Sequence, residues 1–434
     1  MVKRPWLIGG AAIVVIALLV LVGLGWRSAI SPIATPAIAR FAPAQIARGQ
    51  ILASAGYCAA CHTVKGGGAL AGGYAMATPF GTIYSTNITP DPDTGIGRWS
   101  LPAFSRAMRE GVARDGSHLF PAFPYDHFAK LSDDDVAALY AFLMTRPAIS
   151  APAKPNTVPF PINIRLLQAG WKLLFFTPGR FVPDASKDAS WNRGAYLVEG
   201  ISHCGACHTP RGSLGAENKA KPLAGALIDH WIAPALTAAN SAPVPWSEDE
   251  LIAYLGTGVT RYHGVAAGPM GPVVHGLSKL PTTDLQAIAT YIASINGAAG
   301  KRAAGASTIA QALATDKIGL GLQYDAAARL TTAACAPCHY NGGRQINPLR
   351  PDLALNSAVT MDDPRNLIRV ILYGINAPDG IPGVVMPGFA RGLNDADIAR
   401  IAAYLRATRT TGPAWPDLEY RVAAIRAEGK GEQQ

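Results

Sequence analysis

The chain has 434 residues but only six cysteines, and none of the six is spare. They all fall in three Cys-x-x-Cys-His motifs, at residues 58–62, 204–208 and 335–339. No thiol is left for a disulfide, for an iron–sulfur cluster or for a catalytic nucleophile. Zinc-ribbon sites are excluded as well, because no motif has a second cysteine pair to complete four-sulfur ligation.

Charge is also scarce. Charged residues make up 15% of the chain, against about 25% in typical soluble domains. The formal net charge is +9, yet no run of five basic residues exists and lysine and arginine are scattered. The sequence therefore predicts no nucleic-acid site. A glycine fingerprint for a flavin or dinucleotide, placed at a strand–helix junction, is missing too.

The motifs that hold the cysteines are the signature of covalent haem attachment. Two thiolates three positions apart can each add to a haem vinyl group, and the histidine that follows can bind the iron from one face. Three complete motifs predict a c-type cytochrome with three covalently bound haem c groups. The predicted attachment residues and axial histidines are Cys58, Cys61, His62, Cys204, Cys207, His208, Cys335, Cys338 and His339.

The amino terminus predicts a membrane anchor. Residues 5–26 carry no charge and are long enough for one membrane span, with Trp6 and Trp26 near its two ends. Two basic residues precede the run, so we expect a single-pass protein of the bacterial inner membrane with its haem domains in the periplasm. The alternative is a cleaved signal peptide, since a small-residue site follows at 36–39.

The segments that follow the motifs repeat one another. Each contains a glycine with a marked residue twelve positions later, and the first two segments align without a gap from Trp99 to Phe123. Repetition over about a hundred residues predicts three similar domains in tandem. The three pairs are Gly111 and Phe123, Gly258 and Met270, and Gly374 and Met386.

The predicted fold is mainly α, with three tandem class I cytochrome c-like domains after one N-terminal transmembrane helix. The domains span residues 40–147, 191–297 and 317–410. The other segments are an anchor at 1–35, linkers at 148–190 and 298–316, and a tail at 411–434 that contains a short helical piece.

Each domain is predicted to close with a helix. Ser132 is placed to cap the first, with three acidic residues in the first turn. Thr283 and Asp284 begin the second by the same design, and Asn394 begins the third. The apolar run at 171–176, in the first linker, is interpreted as a contact between domains, with a partner protein or the membrane as the alternative.

Two methionines are predicted to complete haem sites. Met270 and Met386 occupy matching repeat positions, and methionine is a common second axial ligand of electron-carrying haems. In the first domain the matching residue is Phe123, which cannot bind iron. His127 is the preferred ligand there, and an open site or His118 are the alternatives.

Other potential ligands are given weaker roles. Met76 and Met108 also lie in the first domain and are further candidates for its haem. The histidines of the second domain, at 230, 263 and 275, are interpreted as surface or propionate-side residues. His203 directly precedes a motif cysteine and is placed near a propionate.

The chain resembles the triple-haem cytochrome c subunits of bacterial membrane-bound periplasmic dehydrogenases. The resemblance rests on residues 49–62, 119–125, 193–198, 203–211 and 268–274. Relatives that serve quinoprotein alcohol or flavin sugar dehydrogenases have methionine where this chain has phenylalanine. The stretch that includes this phenylalanine is more similar to cytochromes that accompany molybdenum hydroxylases.

The resemblance implies an electron-transfer subunit that is not itself an enzyme. It implies a large catalytic subunit and a small iron–sulfur subunit, forming a molybdopterin aldehyde or N-heterocycle dehydrogenase, with ubiquinone or a terminal oxidase as acceptor. One alternative is the cytochrome of a quinoprotein alcohol or flavin sugar dehydrogenase. The others are a haem enzyme with an open, peroxidase-like first haem, and a redox sensor or scaffold.

Overall fold

The computed structural model describes residues 22–23, 25–317, 325–340, 346–348, 350–375 and 386–432. This part of the chain is mainly helical, as predicted, and divides into two compact units. The first unit consists of the described residues within Met1–Asp184, Tyr196–His203 and Gly212–Ala216. The second unit consists of the described residues within Ala185–Ala195, Cys204–Arg211 and Glu217–Gln434.

The first unit begins with a short 3-10 turn at Ile38–Arg40. Two strands, β1 (Ala75–Thr78) and β2 (Gly81–Tyr84), form an antiparallel hairpin in which Ala75 pairs with Tyr84. The helices are α1 (Pro43–Ala55), α2 (Cys58–His62), α3 (Leu101–Glu110), α4 (Tyr125–Phe128), α5 (Asp133–Met144) and α6 (Leu167–Phe175).

A glycine lets α1 and α5 cross at close range. A Cβ atom on Gly49 would lie only 1.9 Å from the carbonyl oxygen of Ala138. Beside this crossing, Arg48 forms an ion pair with Asp135, at 2.5 Å. The Asp135 carboxylate is buried and also accepts a hydrogen bond from Tyr196 Oη at 2.5 Å. The crossing thus joins the first and last helices of the first repeat.

The second unit holds the other two repeats, and α7 (Ala189–Glu199) contributes residues to both units. Two antiparallel hairpins occur here, β3 (Ala226–Ile228) with β4 (Trp231–Ala233), and β5 (Val259–Thr260) with β6 (Gly264–Val265). The further helices are α8 (Gly205–His208), α9 (Glu248–Thr257), α10 (Met270–Leu277), α11 (Thr282–Asn296), α12 (Ala298–Lys317), α13 (Ala326–His339), α14 (Ser357–Thr360), α15 (Arg365–Tyr373), α16 (Asp395–Arg409) and α17 (Leu418–Glu432).

The helix crossing of the first repeat recurs in the second. A Cβ atom on Gly194 of α7 would lie 1.9 Å from the carbonyl oxygen of Ala287 in α11. The adjacent Arg193 binds the Asp284 carboxylate with two hydrogen bonds, of 2.8 and 2.7 Å. The Arg-Gly pair on the opening helix and the aspartate on the closing helix are therefore one design used twice.

The glycines that align the repeats have the same structural role. Gly111, Gly258 and Gly374 directly follow α3, α9 and α15, with φ angles of +60°, +77° and +74°. Positive φ costs glycine little, and such glycines commonly end helices. The predicted repeat alignment is confirmed at this position in all three copies.

The closing helices begin largely as predicted. Ser132 Oγ caps α5 by accepting the N–H of Asp135, and Asn394 caps α16 by accepting the N–H of Asp397. The prediction for the second helix is wrong in detail. α11 begins at Thr282 and has Pro281 at its N-cap, so no side chain caps it.

The tail packs on the third repeat. Val422 and Ile425 of α17 belong to the same buried cluster as residues of α15 and α16. Tyr373 Oη donates to the Ile425 carbonyl at 2.9 Å, and Trp415 Nε1 donates to the Met361 carbonyl at 3.1 Å. The helical piece predicted in the tail thus completes the core of its own unit.

Both predicted linkers contain helix. α6 lies within 148–190, and the segment 298–316 falls within the single helix α12. Of the predicted membrane span at 5–26, residues 5–21 and 24 lie outside the described residues. Within the part of the chain that is described, no helix is long and apolar enough to cross a membrane.

Candidate haem sites

Each Cys-x-x-Cys-His motif places its histidine at the end of a helix. His62, His208 and His339 are the last residues of α2, α8 and α13. The two cysteines of each motif lie within the same helix or directly at its start, so both sulfur atoms precede the imidazole by less than two turns. The three motifs therefore present the same donor set, two thiols and one imidazole, on a short helical segment.

The three imidazoles are held through the same ring atom. Nδ1 of His62 hydrogen-bonds the Thr86 carbonyl at 2.7 Å. Nδ1 of His208 bonds the Pro234 carbonyl at 2.6 Å, and that of His339 bonds the Pro351 carbonyl at 3.0 Å. A carbonyl can only accept, so Nδ1 carries the proton and Nε2 keeps its lone pair. Histidine ligands of metals are typically oriented by such a bond.

In the first two repeats the loop after the histidine closes in the same way. The histidine carbonyl accepts the N–H of a glycine at 2.7 Å, and the following threonine accepts the N–H of a leucine through Oγ1 at 3.0 Å. The residues are His62, Thr63, Leu70 and Gly72 in the first repeat, and His208, Thr209, Leu223 and Gly225 in the second.

This loop was not predicted, although the sequence carries a signal for it. The string Leu-Ala-Gly occurs at 70–72 and again at 223–225, each time after a motif histidine and threonine. Both leucines and both glycines have positive φ. The repeated string therefore marks a fixed turn that returns the chain to the histidine.

Partial burial shifts the pKa values of these groups toward their uncharged forms. It lowers the pKa of His62, and hydrogen bonding to Thr86 opposes this only partly. Burial, followed by the neighbouring motif cysteine, raises the pKa of Cys58 and of Cys204 to about 12. In the third motif the same causes raise the pKa of Cys335 to about 11. A neutral imidazole is the form that an iron ligand requires.

The donor sets therefore fit haem c at all three motifs. Bound haem supplies an iron centre that accepts and releases one electron. The chain would hold each ring through its two motif sulfurs and orient the imidazole through the carbonyl on Nδ1. In the first two repeats, the threonine and glycine bonds of the following loop fix where that histidine sits.

The two predicted methionine ligands lie at the ends of their loops. Met270 is the first residue of α10 and is half-buried. The loop before it passes close to Trp231, since a Cβ on Gly268 would lie 2.5 Å from the indole. Met386 exchanges two backbone hydrogen bonds with Ile375, of 2.9 and 3.1 Å. Their role as sixth ligands stays a prediction.

In the first repeat, Phe123 packs on another ring and His127 is oriented by a carbonyl. The Phe123 and Phe128 ring centroids are 5.3 Å apart. His127, in α4, is buried, and its Nδ1 bonds the Glu199 carbonyl at 2.8 Å. This is the pairing that the three motif histidines make, and His203 makes it too, with the Ile201 carbonyl at 2.8 Å. The assignment of His127 to the first haem stays a prediction.

His118 uses both ring nitrogens within the protein. Its Nε2 bonds the Gly25 carbonyl at 2.7 Å, so this nitrogen carries the proton. Its Nδ1 lies 3.0 Å from Lys172 Nζ and accepts from it. No lone pair is left for iron in this arrangement, which speaks against His118 as the sixth ligand. Met108 is buried within the packed face of α3.

The remaining histidines differ from one another. His230 and His275 are exposed, within the range of the prediction. Of the two roles predicted for His263, the surface one is wrong, because its side chain is fully buried and stacks on Trp246 with ring centroids 3.6 Å apart. The propionate-side role stays a prediction. Burial lowers the pKa of His263 to about 3. His203 is also buried and stacks on Tyr57 at 4.6 Å.

Three haem-binding motifs in three helical repeats define a multihaem c-type cytochrome. The family described as cytochrome c matches this chain three times, over residues 46–147, 192–296 and 324–409. The chain belongs to the cytochrome c family and carries three covalently bound haem c groups.

Similar proteins are named as parts of dehydrogenases. The chain is 48% identical over 407 residues to a nicotinate dehydrogenase subunit of Pseudomonas putida, covering 93% of this chain but 34% of that protein. It is 39% identical to the fructose dehydrogenase cytochrome subunit of Gluconobacter japonicus, covering 89% of this chain and 83% of that one. It is 37% identical to the cytochrome c subunit of the quinone alcohol dehydrogenase of Gluconobacter oxydans, with 84% and 78% covered.

These likenesses identify the kind of cytochrome. The chain is a triple-haem cytochrome of the type that serves dehydrogenases, and its role is electron transfer rather than catalysis. It spans about a third of the length of the nicotinate dehydrogenase protein that it matches.

Proposed function

We propose that the chain is the electron-transfer subunit of a periplasmic dehydrogenase and passes electrons to ubiquinone or a terminal oxidase. The observation that carries this proposal is the presence of three haem sites of one design in a single chain. Three one-electron carriers in sequence suit a conductor between a donor and an acceptor. The names of the similar proteins support a dehydrogenase as the donor.

For the catalytic partner we propose a molybdopterin enzyme with an iron–sulfur subunit that oxidises an aldehyde or an N-heterocycle. Phe123 supports this class, since the stretch around it resembles the cytochromes of such enzymes. The likeness to a nicotinate dehydrogenase protein adds support, because nicotinate is an N-heterocycle. The likeness to alcohol and fructose dehydrogenase cytochromes keeps the quinoprotein or flavoprotein class as the alternative.

The test is purification of the tagged full chain from its native membranes, followed by anaerobic addition of substrates. We expect subunits with molybdopterin and iron–sulfur clusters to copurify, and nicotinate-like heterocycles or aldehydes to reduce the haems, seen as sharpening of the α absorption band. Reduction only by an alcohol or a sugar would overturn the partner class. No copurifying subunit and no reduction by any donor would contradict the electron-transfer role itself.

We also propose that residues 5–26 anchor the chain in the inner membrane, with the haem domains in the periplasm. The support is the uncharged run of membrane-spanning length, flanked by basic residues and tryptophans. Replacing residues 1–35 with a cleavable signal should let alkaline carbonate extract the haem-loaded protein, whereas the full chain stays in the membrane pellet. Extraction of the full chain would contradict the anchor.

A further inference from the structure

Helix α6 buries polar side chains and exposes leucines. Gln168 and Lys172 are 6% and 9% exposed, whereas Leu173 and Leu174 on the same helix are 67% and 72% exposed. A helix on the surface of a soluble domain normally buries its leucines and exposes its lysines. The outward face of α6 is therefore built for surroundings other than water.

The polar side of α6 is held in place by the first unit. Lys172 Nζ donates to the carbonyls of Glu110 and Gly111, at 2.5 and 2.8 Å, and to His118 Nδ1 at 3.0 Å. Just before the helix, Arg165 donates to the His118 carbonyl at 3.2 Å. These bonds fix the rotation of the helix, so its leucines cannot turn inward.

The apolar surface continues into the turn before the helix. Phe160 is 79% exposed, and Ile162 and Ile164 are also exposed. We call this surface the apolar face of α6. It consists of Phe160, Ile162, Ile164, Leu167, Leu173 and Leu174. Scattered exposed apolar residues are normal, but six of them within residues 160–174 are the composition of a contact surface.

The apolar face lies beside the point where the N-terminal apolar run ends. A Cβ on Gly25 would lie 2.6 Å from Leu166 Cδ1 and 3.0 Å from Ala169 Cβ of α6. The next residue, Trp26, is exposed. A membrane span that ends at residue 26 therefore ends in contact with this helix.

Charge along the segment fits a negatively charged surface. From residue 136 to 183 the sequence has no aspartate or glutamate, whereas it has five lysines and arginines, of which Lys154 and Arg180 are exposed. Anionic lipid headgroups attract basic residues near the membrane surface. Leucine, isoleucine and phenylalanine flanked by basic residues are the composition of an interfacial helix.

We propose that the apolar face of α6 lies in the lipid headgroup region of the membrane, as a second contact beside the N-terminal anchor. The position of this contact beside a membrane span rests on the proposed anchor, whereas the contact of α6 with lipid does not. The span and the interfacial helix together would hold the first repeat against the bilayer in a fixed orientation, with the buried Lys172 bonds transmitting that orientation to α3.

The test uses spin labels on the full chain in vesicles of phosphatidylethanolamine and phosphatidylglycerol. All six native cysteines are bound in thioethers in the holoprotein, so one added cysteine is labelled uniquely. Three variants are compared: Leu173→Cys on the apolar face, Val14→Cys in the N-terminal run, and Asp134→Cys at an exposed acidic site. Accessibility to oxygen and to a water-soluble nickel chelate is measured on the oxidised protein. The relaxation of each label under nitrogen without chelate is subtracted, so that the fixed contribution of the haems cancels.

We expect the ratio of oxygen to nickel accessibility to be highest at position 14, intermediate at 173 and lowest at 134, with 173 several-fold above 134. If 14 is deep but 173 matches 134, the interfacial helix is wrong while the anchor stands. If 173 is shielded but 14 is in water, the anchor is wrong while the interfacial helix stands. Shielding of 173 only after a dehydrogenase subunit is added would also overturn the proposal, in favour of a protein partner.

Discussion

At the scale of single residues, a carbonyl bond at Nδ1 orients an imidazole but does not by itself mark a metal ligand, because Nδ1 of His203 bonds the Ile201 carbonyl at 2.8 Å as well. The three motif histidines and His127 each give Nδ1 to a backbone carbonyl. Both ring nitrogens of His118 bond groups of the protein. The first haem is therefore the place where a single substitution is most informative.

Changing His127 to Ala should make one haem in three high-spin in the oxidised protein. The reason is loss of the sixth ligand at the first haem, while haems two and three keep theirs. Electron paramagnetic resonance counts the high-spin fraction. Adding Phe123→Met to this variant should restore a low-spin haem with a raised potential, because methionine ligation raises the potential.

His118→Ala is the matched control for this prediction. It removes a buried histidine from the same repeat and should leave all three haems low-spin. Three low-spin haems in His127→Ala would show that another residue ligates the first iron. A high-spin, cyanide-binding haem already present in the unaltered protein would favour the open, peroxidase-like site.

Lys172 predicts a pH dependence. Burial lowers its pKa from 10.5 to about 7. Between those values the unfolded chain binds more protons than the folded chain, so stability rises with pH, by at most about 1.4 kcal/mol per pH unit. Hydrogen exchange of peptides from α6 should show local stability increasing from about pH 7 to 9.

In Lys172→Met this increase should disappear, because the titrating group is gone. At pH 9 the local stability of α6 should also be lower in the variant than in the unaltered protein, by about 1–3 kcal/mol, because the carbonyls of Glu110 and Gly111 lose their donor. An unchanged pH profile in the variant would assign the effect to another group.

At the scale of secondary structure, the close helix crossing sets the geometry of each of the first two repeats. Gly49→Ala and Gly194→Ala each place a methyl group where a carbonyl oxygen lies 1.9 Å away. We expect each to destabilise its own repeat by about 1–3 kcal/mol, since overpacking forces the helices apart. Scanning calorimetry of the holoprotein should show one transition shifted downward in each variant.

Gly300→Ala is the control for these substitutions. Gly300 lies in α12 and has no atom within 4 Å of a Cβ position. Alanine there should be neutral or stabilise the helix by about 0.5–1 kcal/mol. Equal behaviour of all three variants would mean that the crossing tolerates a methyl group.

Much of the secondary structure follows from local sequence signals. Ser132 and Asn394 indicate the start of their helices because a cap needs only the residues around it. Gly111 and its two counterparts mark helix ends for the same reason. The orientation of α6 could not be predicted, since an isolated lysine in an apolar run is normally exposed. Its partners, the carbonyls of residues 110 and 111, are about sixty positions away.

The haem sites likewise have one part that the sequence predicts and another that it does not. The attachment motifs are contiguous in sequence and can be predicted in full. The carbonyl that orients each histidine comes from a later loop, and nothing local to the motif specifies it. The burial of His263 depends on its stacking against Trp246, which is seventeen positions earlier in a different loop.

At the scale of the whole molecule, three haems on one chain should be countable. Acid–acetone extraction should leave the haem on the protein, and mass spectrometry should show three adducts. Replacing Cys335 and Cys338 with alanine should lower the count to two without affecting the other motifs. Two adducts in the fully matured unaltered protein would contradict the three-haem assignment.

The helix crossing also has a consequence for biosynthesis. Gly49 and Ala138 lie about ninety positions apart, as do Gly194 and Ala287, so neither crossing can form until its closing helix has been made. Throughout that interval the motif cysteines of the repeat are already synthesised but its last helix has not arrived. Each repeat therefore has a nascent stage in which its haem-binding motif is complete but its helix crossing is not, and the first repeat can complete its crossing before the second.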